Sequence, residues 1–174
     1  RFTKDDVVLA VVDPGVGTER APLAVEIDGV WFVGPDNGLF EIVLRRTGTV
    51  RPHAITWRPE SLSSSFHGRD LFAPMAARLA SGKRAGLERS EPSRYPHWPD
   101  ELDCVVHIDA FGNLMTGRRA TSLNPAAMLD VGGARVPPAR TFAEVPPGCL
   151  FWYANSSGLV EIAMNGGDAA SRLG

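Results

Sequence analysis

No stretch of this chain approaches the roughly 18 consecutive apolar residues that a membrane-spanning helix needs. Charge of one sign is not in excess either: the formal net charge is −2, so the basic footprint of a nucleic-acid-binding protein is missing. Cysteine is rare. Only Cys104 and Cys149 occur, each inside an apolar run and neither at metal-ligand spacing. That reads as buried free thiols in a reducing compartment, hence a cytoplasmic protein; the sequence leaves a disulfide between them open. A further absence is local. The segment "VVDPGVGTER", residues 11–20, carries two glycines after a strand-like run, yet no Lys follows them. A P-loop needs Gly-Lys-Ser/Thr to bring an ammonium to the phosphates, and a dinucleotide fingerprint needs a third glycine opening a helix. Neither pattern is met.

Of the 174 residues, 44% are hydrophobic and 22% charged. This is the balance of a folded protein, with chain enough for one ordinary domain or two small ones and for a sizeable core. The chain opens on "RFTKDDVVLA" without a Met, which reads as the interior of a longer protein or a processed chain. The Val-rich run 7–12 predicts a buried strand. Residues 23–34 predict a hairpin about Asp28-Gly29, and 38–46 a short helix ended before Gly48. Residues 50–57 predict a strand weakened by Pro52.

In "SSSFHGRDLFAPMAARLASG" the residues Leu71, Phe72, Met75 and Leu79 share one helical face, and Gly82 supplies the stop. Pro74 fits if Asp70 is the N-cap, since the proline then lies in the first turn. Phe66, His67 and Gly68 would lie in the loop feeding that helix, where backbone N–H groups favour an anion. The charged, three-proline stretch 83–100 separates this region from short apolar runs split by Gly and Pro. The expected organisation is an α/β domain over 1–92 (a mixed sheet flanked by helices), a linker over 93–102, and a small all-β barrel or sandwich over 103–174.

Several groups are candidates for chemistry. Pro14 holds Asp13 extended at the strand end, and the glycines permit a reversal that brings Arg20 back toward it. Taken alone, that is a turn with a surface ion pair. His67 is a lone histidine at the expected helix start, structural by default. Asp36 and Asn37 precede Gly38 as an Asx turn would. Asp109, Phe111 and Asn113 alternate, so in an extended segment an acid, a ring and an amide share one face. Ser156 and Ser157 precede Gly158, and Asn165 precedes Gly166 and Gly167, as in a hairpin.

Taken in order, "VVDPGVGTER", "GPDNGLF", "FHGRDLFAPMAARLASG", "IDAFGN" and "NSSGLVEIAMNGGDAA" resemble the S-adenosyl-L-methionine (SAM) hydroxide adenosyltransferase family. These are relatives of the SAM-dependent fluorinase and chlorinase. The resemblance implies an N-terminal α/β domain, a smaller C-terminal β-barrel, and a homotrimer with SAM bound at subunit interfaces. It implies attack of water or hydroxide on the 5′ carbon of SAM, giving adenosine and L-methionine, with no cofactor and no metal. Asp13, Arg20 and His67 match the catalytic Asp–Arg–His set of the hydroxide-using members, and halogenases differ there.

Phe66 and Gly68 would line the reacting centre, and Asp109 would meet the methionine ammonium. Ser156 and Ser157 would meet its carboxylate, and Phe111 and Asn113 the adenine, with backbone near Asn165 and Gly166. Ser157 and Met164 stand where halogenating relatives carry Arg. Family members also carry, ahead of the segment matching "VVLAVVDPG", a strand and helix with an Asp that grips the ribose hydroxyls; that segment is not in this sequence. Two alternatives accompany this reading: a SAM- or adenosine-binding protein without turnover, and a metal-dependent hydrolase using Asp13, Asp36, His67 and Asp70. A halide-using relative is the less favoured variant.

Overall fold

Residues 2–45 and 48–174 are described by a computed structural model, and the chain divides into two compact units, Arg1–Trp98 and Pro99–Gly174. The first is built on a five-stranded sheet of order β1-β3-β2-β4-β5, from β1 (Val7–Leu9), β2 (Pro22–Ile27), β3 (Val30–Pro35), β4 (Val50–Ile55) and β5 (Leu87–Arg89). The β1–β3 pair is parallel and the other pairs are antiparallel. The β2–β3 hairpin turns on Asp28 and Gly29, both at positive φ (50° and 87°), as a two-residue turn matching strand twist requires.

Alternation along these strands makes two apolar faces. Leu23, Val25, Ile27 and Phe32 pack with Phe40 and Leu44 on one side. Ala24, Trp31, Val33 and Ile55 pack with Leu71, Phe72, Met75 and Leu79 on the other. Helix α1 (Glu41–Arg45) covers the first face and α2 (Ala73–Ala80) the second. Each large apolar side chain buried this way contributes about 1.5–3 kcal/mol.

Three expectations for this first unit need correction. Strand β1 ends at Leu9, not at residue 12, and Val11 and Val12 are exposed. Ala10 donates one further bond to the Val33 carbonyl, but Pro35 has no N–H with which to continue a ladder. Helix α1 starts three residues after the expected position 38, and Arg46 lies outside the described residues.

The third correction concerns the start of α2. A π turn over Gly68–Phe72 precedes it, so Asp70 lies inside helical backbone and is not the N-cap. In α geometry the Pro74 ring would collide with the carbonyl four residues back. The wider turn, in which the Ala73 N–H reaches the Gly68 carbonyl, relieves that conflict. The far end of α2 is as expected: Gly82 takes φ 74°, its N–H reaches Leu79, and Lys83 N–H reaches Arg78.

The Pro-rich stretch that follows is fastened to this unit. Asp36 accepts from the Ser93 backbone and hydroxyl, while Asn37 carries the Asx turn through Leu39 N–H. The buried Glu41 carboxylate accepts from Arg45, Arg94 and the Tyr95 backbone.

The second unit has an open four-stranded antiparallel sheet of order β10-β11-β7-β6 and a separate two-stranded ribbon, β8-β9. Its strands are β6 (Leu102–Ile108), β7 (Leu114–Arg119), β8 (Leu129–Val131), β9 (Ala134–Val136), β10 (Leu150–Ala154) and β11 (Leu159–Met164). Among the described residues the ladders do not close into a barrel. The core joins Leu114, Val136, Trp152, Val160 and Ile162 to Ala169 of the short helix α3 (Ala169–Leu173). Cys104 and Cys149 are free but exposed, not buried as expected. Cys104 lies on β6, the strand at one edge of the four-stranded sheet. No helix is long and apolar enough to cross a membrane among the described residues.

Candidate active site

Chain reversal after β1 brings Arg20 back to Asp13. Asp13 N-terminally anchors a tight series of turns, in which Val16 N–H reaches the Asp13 carbonyl and Thr18 closes onto Gly15 through both its N–H and its hydroxyl. Gly17, at φ 77°, passes so close to the Ser64 carbonyl that a Cβ there would lie 2.6 Å from it; only glycine suits both demands.

The Arg20 fork then grips Asp13 with two bonds, Nε to Oδ1 at 3.0 Å and Nη2 to Oδ2 at 2.6 Å. The side chains are 7% and 6% exposed, so this is a nearly buried pair rather than a surface one. Behind it the guanidinium lies 5.2 Å from the centre of the Phe72 ring, which the π turn carries.

The same Nη2 lies 3.0 Å from Nδ1 of His67. A guanidinium can only donate, so Nδ1 is the acceptor, and a neutral ring then carries its proton on Nε2. His67 sits at the residue that opens the helical backbone. Packing thus assembles Asp13, Arg20 and His67 into one bonded row. Arg20 and His67 also border a cavity of about 600 Å³ with Thr18, Thr56, Arg58 and Leu71. Phe66 is largely exposed beneath the Arg69 guanidinium, and Gly68 packs against Val11.

Asp70 and Asp36 do not join this row. Asp70 accepts from Ser63 N–H and from Arg69, which holds its carboxyl below the usual value. Asp36 is engaged by Ser93. Among the described residues no three His, Cys, Asp or Glu side chains gather as metal ligands would.

In the second unit, residues 109–113 form a tight turn and not an extended strand, which corrects the shared-face expectation. Gly112 takes φ 81°. Asp109 stitches the turn by accepting from the N–H groups of Phe111 and Asn113 and from the Asn113 amide. The Asn113 backbone bond is the main cause that lowers the Asp109 carboxyl, with burial opposing it. Phe111 stands 79% exposed.

Asp109, Phe111, Asn113 and Gly166 come together around a cavity of about 540 Å³. Ser156, Ser157 and Asn165 do not line it. The two serines lie exposed in the β10–β11 turn, and the Asn165 amide holds the Val145 carbonyl at 2.6 Å.

Sequence reasoning missed Phe142, Tyr153 and Glu161, which line the same cavity. A legible signal existed for Glu161. It is a single acid within "LVEIAM", placed by alternation opposite Tyr153 across the hairpin.

Fold and site define a class: a two-unit protein with a clamped acid–guanidinium–imidazole row in its α/β unit and an acid-and-aromatic cavity in its β unit. The model of the SAM hydroxide adenosyltransferase N-terminal domain matches residues 1–88, and that of the C-terminal domain matches residues 103–174. The chain belongs to the SAM hydroxide adenosyltransferase family.

An (R)-S-adenosyl-L-methionine hydrolase from Thermus thermophilus is 42% identical over 190 residues, covering 97% of this chain and 71% of the relative. One from Salinispora tropica is 40% identical over 187 residues, covering 97% and 70%. A solved structure of a conserved protein from Thermotoga maritima superposes with a TM-score of 0.83 at 30% identity, covering 99% of this chain and 74% of that one.

Proposed function

We propose that this chain hydrolyses S-adenosyl-L-methionine. Water attacks the 5′ carbon, the carbon–sulfur bond breaks with its electron pair going to sulfur, and adenosine, L-methionine and one proton are released. Family membership and the hydrolase relatives support the reaction. The observation that carries the assignment of residues is the single guanidinium bonded to both Asp13 and His67.

A sulfonium leaves as a neutral thioether, so no acid is needed at the leaving group. The site has to hold one water in line with the breaking bond and take its proton. In this reading the Nε2–H of His67 anchors the water oxygen. Asp13 accepts the proton through a lone pair that Arg20 leaves free, and Arg20 stabilises hydroxide character as it develops.

Phe66 and Gly68 border the reacting centre in this reading. Asp109 takes the ammonium, Ser156 and Ser157 the carboxylate, and Phe111, Asn113 and the backbone at Asn165 and Gly166 the adenine. The second unit's sheet is taken as the barrel-like domain of the family. A homotrimer in the cytoplasm, acting without cofactor or metal, completes the proposal. Incubation of the protein with SAM, followed by chromatography, is expected to give adenosine and methionine in equal amounts. Tight SAM binding without adenosine would replace hydrolysis with a binding role.

A further inference from the structure

The wall of the second cavity holds a group that the displacement does not require. Glu161 is 7% exposed. Alternation along β11 sends Val160 and Ile162 into the apolar core and Glu161 to the other face, beside its cross-strand partner Tyr153. A carboxylate so placed is destabilising unless its oxygens are bonded. One oxygen accepts the Tyr153 hydroxyl, and the other accepts the Asn155 side-chain amide at 2.9 Å. Both donors are neutral. Burial first, then the hydrogen bond to Glu161 and the charges of Glu161 and Asp109, push the Tyr153 phenol above its ordinary value, so its hydroxyl stays a donor.

With its Nδ2 committed to Glu161, Asn155 has to aim its Oδ1 the other way. That oxygen accepts the backbone N–H groups of Ser157 at 2.9 Å and Leu159 at 3.0 Å. The Gly158 N–H closes on the Asn155 carbonyl at 2.9 Å. The turn that presents Ser156 and Ser157 is therefore set by the orientation of one amide, and Glu161 selects that orientation.

We infer that Glu161 is a positioning residue for the amino-acid end of the substrate, acting through Asn155 on the Ser156–Ser157 turn. This rests on the reading that those serines meet the SAM carboxylate. Asn155→Asp keeps the acceptor for the turn but sets a second carboxylate against Glu161. Adding Glu161→Gln restores one donor and one acceptor, exchanged between the two side chains.

In the single variant the KM for SAM is expected to rise about tenfold or more with kcat within about threefold, and the double variant to return KM to within about threefold of wild type. Hydrogen exchange at the Ser157 and Leu159 amides is expected to quicken about tenfold or more in the single variant and slow again in the double. Should Asn155→Asp not fold, Asn155→Ser, too short to span both contacts, carries the same expectations for KM and exchange.

Unchanged exchange overturns the link whether or not the enzyme turns over. Lost protection with unchanged KM, or a fall confined to kcat, overturns the substrate role. A wild-type protein that releases no adenosine overturns the hydrolase reading and this substrate role together, while the exchange data still judge the link.

Discussion

One nitrogen of Arg20 lies 3.0 Å from Nδ1 of His67, a residue 47 positions away along the chain. Because that nitrogen also holds Asp13, the orientation of the histidine ring and the tilt of the carboxylate are set by the same group.

Arg20→Lys keeps the charge and removes the fork, so one ammonium cannot hold both partners in the observed geometry. Turnover of SAM is expected to fall about a hundredfold, with KM within a few-fold and the far-UV circular dichroism unchanged. Turnover equal to wild type in a steady-state assay would assign the row to structure alone.

Asp13→Asn and His67→Ala are expected to cut kcat while SAM affinity, measured by calorimetry, stays within about a few-fold. Asp13→Ala is a harsher change. It strips the nearly buried Arg20 of its counter-charge, and the loss of stability is expected to be about 3–5 kcal/mol in urea unfolding. Large losses of SAM binding in the Asn variant would move Asp13 from chemistry to recognition.

Glu41 links the stability of the first unit to pH. The Arg94 guanidinium is the main cause that lowers its carboxyl to about 2, opposed by burial and helped by the Tyr95 N–H and Arg45. A folded value below the unfolded one means stability that is fully present above the ordinary value near 4.5 and is lost as pH falls toward about 2. The contribution is on the order of 3 kcal/mol. The unfolding difference between wild type and Glu41→Gln should be constant near neutrality and shrink through that acid window. A difference independent of pH would contradict the assignment.

Gly112→Ala tests the Asp109 turn. The backbone there sits at φ 81°, and a Cβ would lie 2.2 Å from the Asp168 carboxylate that caps α3. Backbone strain and the clash together are expected to cost about 1–3 kcal/mol, read as a lower Tm, with weaker adenosine binding. An unchanged melting curve would show that the turn relaxes freely.

Adenosine release is expected to persist after dialysis against a chelator, since Asp36 and Asp70 are engaged by Ser93 and by Ser63 and Arg69. Loss of activity restored by a divalent ion would favour a metal-dependent hydrolase.

Local chemistry made part of this protein legible in advance. The Asp28-Gly29 hairpin, the Gly82 helix stop and the Asx turn at Asn37 depend on φ preferences and short-range hydrogen bonds, and those are carried by neighbouring residues. The order of short motifs likewise pointed to the family from sequence.

Packing decided the rest. Whether Asp13 and Arg20 made a surface pair or a nearly buried clamp depended on how the reversal packed against Phe72 and the π turn. That turn itself answers a clash between Pro74 and a carbonyl that only a helical backbone creates. The Asp109 segment reads as alternating in one dimension but closes into a turn once its carboxylate captures three donors. Glu161 was one acid in an apolar strand until Tyr153 and Asn155 came within bonding reach. Sequence determined the local turns and the kinds of groups available. Tertiary structure decided which of them meet, because burial makes an unbonded polar group too costly to leave alone.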